Sequence, residues 1–302
     1  MDVKQLRALV AVGEHRSFSA AARALHTVQS NISTHVSRLE REMGVTLVDR
    51  ATTSLTEEGQ IVAERARRIE AEFAALESDV ASLRDVVRGS VTLGVIGTTA
   101  RWLVPLLLEE LEVRHPAIRL VVLDATTSSL IPQLVTGTID LAVLNMPVQD
   151  PDVSVQPLFD EDLVVVAPSG HPLYERDRVD LAELAAHELL LPARGTGFRD
   201  DLDGDADAAG VALRAKAEFD GVRLLASLAF AGFGAAVLPA SAAPAGVGGD
   251  WRMLRLEGAS SRSVGLARRR RGLPSAAQRA VADVAREVVR TSGPSQSGIH
   301  PR

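Results

Sequence analysis

Cysteine is absent from all 302 residues of the chain, which removes disulfides, thiolate catalysis, iron–sulfur ligation and thiol redox sensing together. No apolar run approaches the roughly 18 residues needed to cross a bilayer, so no membrane association is expected. The opening MDVKQLRALVAVGEH places charges on both sides of a short apolar stretch and offers no small-residue cleavage site. It does not read as a signal peptide, and a cytoplasmic location is expected. The seven histidines are scattered without HxxH or HExxH spacing, so no metal ligation is expected. Nor is there an excess of positive charge: the formal net charge of −6 is, on its face, that of an acidic protein without a phosphate-contacting surface.

The distribution of charge is more informative than its sum. Lys4, Arg7, Arg16, Arg23, Arg38, Arg41 and Arg50 all fall in the first fifty residues, against five acids, so this segment is mildly basic. Apolar residues there recur at helical spacing in three short bursts, Leu6-Leu9-Val10, Ala21-Ala22-Leu25 and Ile32-Val36-Leu39, which predict three brief helices. The stretch SFSAAARALHTVQSNISTHVSRLE is laid out as a helix-turn-helix. Ser17 or Ser19 caps a helix whose inner face is Ala21, Ala22 and Leu25; His26-Thr27-Val28 makes the turn; a second helix over about 29–40 buries Ile32, Val36 and Leu39. Its outward residues are Ser30, Asn31, Thr34, His35, Ser37 and Arg38. Hydroxyls, an amide and an imidazole can donate to and accept from base edges, whereas an ordinary solvated helix carries Glu and Lys there. Taken alone, the motif is also compatible with a plain three-helix packing unit.

From about Thr56 to Arg88 the chain reads as one unbroken helix. Val62, Ala66, Ile69, Phe73, Leu76, Val80, Leu83 and Val87 alternate four and three apart, the narrow seam of a heptad repeat that demands a partner helix. A homodimer is expected, with Ile69, Phe73, Leu76, Val80 and Leu83 at its interface. After Arg88 the texture becomes α/β: the apolar runs at 91–96, 120–123, 141–144 and 163–166 read as buried strands, the first three separated by helices and so parallel. The hydroxyl clusters Thr98-Thr99 and Thr126-Thr127 each follow a strand and precede a helix, where ligands of open parallel sheets meet helix N-termini. Such residues are equally suited to plain helix capping. The run Arg268–Arg271 reads as a solvated charge patch. The tail TSGPSQSGIHPR is small, polar and rich in Pro and Gly, and is expected to be disordered.

Together QLRALVAVGEHRSFSAAARALHTVQSNISTHVSRLEREMGVTLVDR, LTEEG, LVPLLLEELEVRHPAIRLVVLDATTSSLIPQLVTGTIDLAVL, PLFDEDLVVVAPSGHPL and LAFAGFGAAVLP resemble, in order and spacing, the LysR-type transcriptional regulators. The resemblance covers everything except the tail. It implies an α/β protein of four parts: a winged helix-turn-helix DNA-binding domain at 1–58, a dimerising linker helix at 59–89, an effector-binding domain at 90–290 and the tail at 291–302. The effector domain would resemble periplasmic solute-binding proteins, with subdomain I at about 90–160 and 266–290 and subdomain II at about 161–265. By position, Gln29, Ser33 and Arg38 are expected at the DNA backbone, with Ser19 beside them, and Ser30, Asn31, Thr34 and His35 at base edges. Such regulators usually carry Phe where Val48 stands. The wing, Arg50 to Leu55, is shorter than usual and lacks a second arginine cluster, so Arg50 is expected to make most of its phosphate contact. Thr98, Thr99, Thr126, Thr127, Asn145, Met146 and Pro147 are expected to face the effector from one subdomain, and Thr196, Gly197 and Phe219 from the other. No cofactor is expected beyond a small-molecule effector, a small organic acid being the class that helix N-termini favour. The expected protein is thus a non-enzymatic regulator, a preformed homodimer or homotetramer on double-stranded DNA whose effector alters contact with RNA polymerase. A transporter's solute-binding component would leave the N-terminal reading head unexplained, and an enzyme on the same fold would need an acid–base pair that the sequence does not nominate.

Overall fold

A computed structural model of the chain describes residues 1–83, 86–243 and 249–302. The N-terminal unit is built from α1 (Val3–His15), α2 (Phe18–Ala24) and α3 (Gln29–Met43), a two-stranded wing of β1 (Val48–Asp49) and β2 (Ser54–Leu55), and the start of α4 (Glu57–Ser82). Asp2 and Gln5 close a capping box on α1, and Ser17, rather than Ser19, caps α2 through the Ala20 amide at 3.3 Å. Ala21 and Ala22 are buried and let α3 approach closely, with Ile32, Val36 and Leu39 on the facing side. Leu25 differs from expectation: it is the C-cap of α2 and 38% exposed, because the helix stops one residue short of carrying it inward. Val48 is fully buried under the wing.

Helix α4 begins at Thr56, whose hydroxyl accepts from the Gly59 amide at 3.0 Å and donates to the Thr46 carbonyl at 2.8 Å. Its first turns belong to the reading head, since Ala63 and Ala66 are fully buried in that unit's core with Val62 packed against it. The first positions of the heptad seam are therefore occupied within the same chain. From Ile69 onward the seam is bare: Phe73, Leu76 and Val80 are exposed. The helix ends at Ser82, shorter than the periodicity predicts; Leu83 lies in a turn and residues 86–88 are irregular, while part of the expected linker, 84–85, lies outside the described residues.

The remainder forms two α/β lobes. Lobe I contains β3 (Gly89–Val95), α5 (Gly97–Arg114), β4 (Ile118–Asp124), α6 (Thr127–Thr136), β5 (Leu141–Asn145) and β6 (Val153–Glu161). The chain then crosses at Asp162 into lobe II, which comprises β7 (Leu163–Pro168), β8 (Arg178–Asp180), α7 (Leu181–Ala185), β9 (Glu188–Pro192), α8 (Gly197–Ala208), β10 (Arg214–Phe219), α9 (Val222–Phe230), β11 (Ala236–Pro239) and β12 (Trp251–Glu257). It returns to lobe I through β13 (Arg262–Arg269), α10 (Ala276–Ser292) and β14 (Ile299–Pro301). The lobe I sheet has the order β14-β6-β13-β5-β3-β4 and the lobe II sheet β10-β9-β11-β7-β12-β8. The βαβ units expected from the apolar runs are present, β3 pairing in parallel with both β4 and β5.

The tail is ordered where disorder was expected. Ile299 is 4% exposed in the lobe I core, and β14 pairs antiparallel with β6. Arg302 Nε donates to Asp160 at 2.7 Å and His300 Nε2 lies 3.0 Å from Asp162. Composition argued for disorder, but one apolar residue in register with a strand edge outweighs a polar neighbourhood.

Gly59 marks the tightest contact between stalk and head, for a Cβ at that position would sit 2.0 Å from the Leu47 carbonyl oxygen. Gly59→Ala should therefore destabilise the N-terminal unit by about 2 kcal/mol or more, although alanine in a helix is ordinarily favoured by about 1 kcal/mol. Thermal unfolding of the full chain decides the sign, and a rise in Tm would contradict the packing described.

Candidate nucleic-acid interface and effector cleft

The outer surface of α3 is assembled from residues that the core leaves over. Gln29, Ser30, Asn31, Thr34 and Arg38 are exposed, and Ser33 and His35 are half-buried. Val28, the N-cap, offers no side-chain acceptor, and the first turn holds no acid. The N-terminal amides of α3 thus keep their affinity for an anion, as a phosphate-facing helix start requires. The exposed Ser19 hydroxyl donates to Gln29 Oε1 at 2.7 Å, and Asn31 Nδ2 donates to Thr27 Oγ1 at 3.0 Å, so the turn and the start of α3 are held in one arrangement. The Thr34 hydroxyl is turned back onto the Ser30 carbonyl at 2.8 Å.

Arg50 has a different local role from the one expected of it. Its guanidinium donates to Glu40 Oε2 at 2.8 Å and to Ser37 Oγ at 3.2 Å, and lies 5.0 Å from the centre of the Phe18 ring. The other oxygen of Glu40 accepts from the amides of Leu47 and Val48 at 2.9 and 3.1 Å. One carboxylate on α3 therefore anchors the wing backbone and its leading cation. The sequence signalled the cation; the role of Glu40 depends on a wing returning beneath α3, which residue spacing does not display.

The expected effector residues fall into separate local clusters. Thr98, in the first turn of α5, accepts from Arg262 Nη2 at 2.8 Å. Arg262 in turn donates through Nε to Glu161 Oε2 at 2.5 Å, and Glu161 Oε1 accepts from the Ser241 amide at 2.5 Å. Glu161 is fully buried, so this chain of contacts sits at the two crossovers between lobes. Beside it, burial would raise the Asp160 carboxyl, but hydrogen bonds from Ser263 and Arg302 together with the charge of Arg302 draw it below the ordinary aspartate value. Thr99 is fully buried with its hydroxyl unpartnered, as are Trp102 Nε1 on the same helix and Asn145 Oδ1 at the end of β5. Thr127 Oγ1 accepts from the Asn145 amide at 3.1 Å, whereas Thr126 meets only the hydroxyls of Ser128 and Ser129. Met146 and the exposed Pro147 follow Asn145 through a cis peptide bond.

In lobe II, Thr196 acts as the N-cap of α8, accepting from the Arg199 amide at 3.3 Å, with Gly197 exposed as that helix's first residue. Arg199 is fully buried beneath it, donating to Asp203, Glu218 and the Pro192 carbonyl at 2.8, 3.0 and 2.9 Å. Burial would lower its pKa, but the bonds to the two carboxylates hold it above the ordinary arginine value. Phe219 is half-buried against the lobe II core, its carbonyl accepting from the Ala193 amide at 3.0 Å. Between the lobes runs a cleft of about 520 Å³ that includes Gly97, Thr98, Arg101, Asp124, Arg223 and Phe230 in its lining. Arg223 and Asp124 span it with a 2.5 Å ion pair. Of the expected effector residues Thr98 lines this cleft; Thr99, Thr126, Thr127, Asn145, Met146, Pro147, Thr196, Gly197 and Phe219 do not. The ion-paired residues Glu161, Arg262, Asp124 and Arg223 were not singled out from the sequence, since each pair joins segments remote in the chain. No cluster of potential metal ligands occurs among the described residues, and no helix there is long and apolar enough to cross a membrane.

Comparison with known proteins gives two family matches. Residues 3–60 match the bacterial regulatory helix-turn-helix protein model, lysR family, and residues 84–290 match the LysR substrate binding domain. A probable hydrogen peroxide-inducible genes activator of Streptomyces viridosporus is 35% identical over 297 residues, covering 96% of this chain and 95% of that protein. The DNA-binding transcriptional dual regulator OxyR of Escherichia coli K12 is 29% identical, with 81% of each chain covered. Among solved structures, full-length CbnR complexed with its target DNA has 27% identity and a TM-score of 0.70, covering 97% of this chain and all of that one. A full-length OxyR variant from Pseudomonas aeruginosa has 25% identity and a TM-score of 0.73, covering 96% and 95%.

The two oxygens of Glu40 separate two effects. Glu40→Ala strands two wing amides and should cost about 1–3 kcal/mol of stability, whereas Arg50→Ala removes one exposed ion pair and should cost about 0–1 kcal/mol. Denaturant unfolding of both variants checks this, and equal losses would contradict Glu40 as the root of the wing.

Proposed function

The chain belongs to the LysR family of bacterial DNA-binding transcription regulators with an effector-binding domain, and from that premise we propose that it reads a specific operator as a self-associated protein, through α3 presented twice by paired α4 stalks. The observation that carries this reading is the conjunction of two exposed surfaces on α3 and α4, the helices either side of the wing. One is the hydroxyl- and amide-rich face of α3, and the other is the apolar stripe Ile69, Phe73, Leu76, Val80 and Leu83, each at least 39% exposed. A helix does not leave four large apolar side chains and an apolar C-cap in water along one line unless another surface covers them.

In this reading Ser30, Asn31, Thr34 and His35 meet base edges, while Ser19, Gln29, Ser33, Arg38 and the α3 amides hold the phosphates. Arg50 reaches the backbone after exchanging Glu40 for phosphate, or bridges the two. The acidic net charge presents no obstacle, because the first fifty residues carry seven cations against five acids, a small positive excess in a chain of net −6. A homotetramer requires a second self-association surface, and exposed Leu108 and Val113 on α5 with Val121 on the edge strand β4 supply a suitable one. RNA polymerase is the partner through which such a protein acts on transcription, in the cytoplasm where its DNA lies, and no catalytic step is assigned to it.

The effector belongs between the lobes. We propose a small organic acid, held first at the N-terminus of α5 beside Thr98, with Thr99, Thr126, Thr127, Pro147, Thr196, Gly197 and Phe219, which lie outside the cleft in this arrangement, reached only after a movement of the lobes. Arg223 becomes available to an anion when its pair with Asp124 opens. Similar proteins are named hydrogen peroxide-inducible activators; this chain has no thiol to oxidise, so its effector is bound by contact and not by disulfide formation.

Selection of duplexes from a random pool, followed by affinity measurement on the enriched sequence, tests the reading. Asn31→Ala should cost about 1–3 kcal/mol on the selected duplex and relax preference at one base position. Leu76→Glu should give a monomer with much weaker binding but an intact reading head. A protein that enriches no sequence, or a Leu76→Glu variant that remains dimeric and binds as before, contradicts it. For the cleft, a Thr98→Ala/Thr127→Ala variant should lose its response to the inducing condition while keeping DNA binding; an undiminished response would remove both residues from the effector site.

A further inference from the structure

The N-terminus of α10 is completed by residues of another domain. Ser275 and Gln278 form a capping box that uses the Gln278 and Ser275 amides, at 3.2 and 3.0 Å. That box leaves the amides of Ala276 and Ala277, the first two residues of the helix, without an acceptor. Both are met by the stalk: Ala276 donates to Asp79 Oδ1 at 2.7 Å and Ala277 to Ser78 Oγ at 3.2 Å. Arg279 adds a 3.2 Å contact to the same Asp79 oxygen, and Ser78 is buried. In the same turn, Gln278 Nε2 donates to Asp140 Oδ1 at 2.8 Å, while Asp140 Oδ2 accepts from the Thr92 amide in β3 at 2.8 Å.

Both ends of α4 are thus fastened, but to different bodies. Toward its N-terminal half, Arg7 and Arg67 form ion pairs with Glu70 and Glu14 that tie it to α1, at 3.1 and 3.4 Å. Toward its C-terminal end, Ser78 and Asp79 tie it to α10, whose other face, including Val281, Ala285 and Val288, is buried in the lobe I core. Beside Arg67, Arg68 also reaches lobe I, donating to the Val135 carbonyl at 3.2 Å. The head cannot turn relative to lobe I without the Ser78–Asp79 joint either following or releasing.

We propose that Ser78 and Asp79 are positioning residues that set the angle between the stalk and the effector domain by capping α10 across the domain boundary, and that this joint carries lobe movement to the reading heads. The proposal rests on the regulator reading above. Two hydrogen bonds and one exposed ion pair are enough to define an angle and few enough to be released by a modest differential free energy, which is what a two-state joint requires. Asp79 favours the N-terminus of α10 by charge as well as by hydrogen bonding, since a carboxylate there meets the positive end of the helix dipole.

The absence of native cysteine makes the test direct, because spin labels at Glu58→Cys and Asp283→Cys attach nowhere else. The labelled full-length chain, diluted with unlabelled chain to isolate the distance within one protomer, is measured by pulsed dipolar spectroscopy. Three backgrounds are compared: unsubstituted, Ser78→Ala/Asp79→Ala, and Asp79→Asn, which retains an acceptor for Ala276. The expected result is one narrow distribution in the first and third and a broadened or shifted one in the double variant. Exchange of the Ala276 and Ala277 amides should rise by about tenfold in the double variant, with affinity for the selected duplex unchanged and its bend altered. An equally narrow distribution in the double variant, an equally broad one in Asp79→Asn, or an unaltered DNA bend overturns the proposal. Failure of the unsubstituted chain to select any duplex sinks the regulator reading, and the coupling role with it, whatever the label distances show.

Discussion

Helix α4 has to satisfy three surfaces with one periodicity. It spans 26 residues, roughly 39 Å at 1.5 Å per residue. Along that length it completes the core of the reading head through Ala63 and Ala66, exposes an apolar stripe from Ile69 to Leu83, and caps α10 with Ser78 and Asp79. None of these elements can be rotated about the helix axis without disturbing the others, because the side chains are fixed to one rigid rod. The position of α3 relative to lobe I is set through this one helix, which is the physical basis of the coupling proposed above.

The hinge follows the same logic at smaller scale. Glu161 is fully buried at the crossover and is met by Arg262 from the returning strand and by the Ser241 amide from lobe II, while Arg262 reaches Thr98 at the start of α5. A buried carboxylate paired in this way is a device of arrangement more than of stability, since its desolvation offsets most of its Coulomb gain. It holds the first turn of α5 at the mouth of the cleft, next to the Asp124–Arg223 pair that spans it. The tail adds a third strap, β14 running along β6 over the same crossover.

Much of this was legible in the residues, for reasons that differ by element. The three short helices and the βαβ order follow from apolar periodicity, and the helix-turn-helix from paired alanines before a polar helix. The heptad seam was also visible, but its period does not say whose side chains cover it. Val62 and Ala66 turned inward to their own head while Phe73 and Leu76 remained bare. Leu25 was misplaced by a helix that ends early, and the tail was misjudged because the polar residues around Ile299 hid the single side chain that docks it. What could not be read at all were pairings that no periodicity displays: Glu40 with the wing backbone seven and eight residues on, and, between distant segments, Glu161 with Arg262 and Ser78 and Asp79 with α10. Each depends on the fold being formed before the partners meet.

Everything turns on whether α3 lies in a duplex groove and is presented twice by a self-paired stalk. Footprinting of the full-length protein on its selected duplex, at the concentration where its mass in solution is also determined, tests this most directly. The account predicts at least a dimeric mass and two protected half-sites whose centres lie about 34 Å, or a multiple of that, apart along one face of the duplex. A monomeric mass with a single protected segment would contradict it.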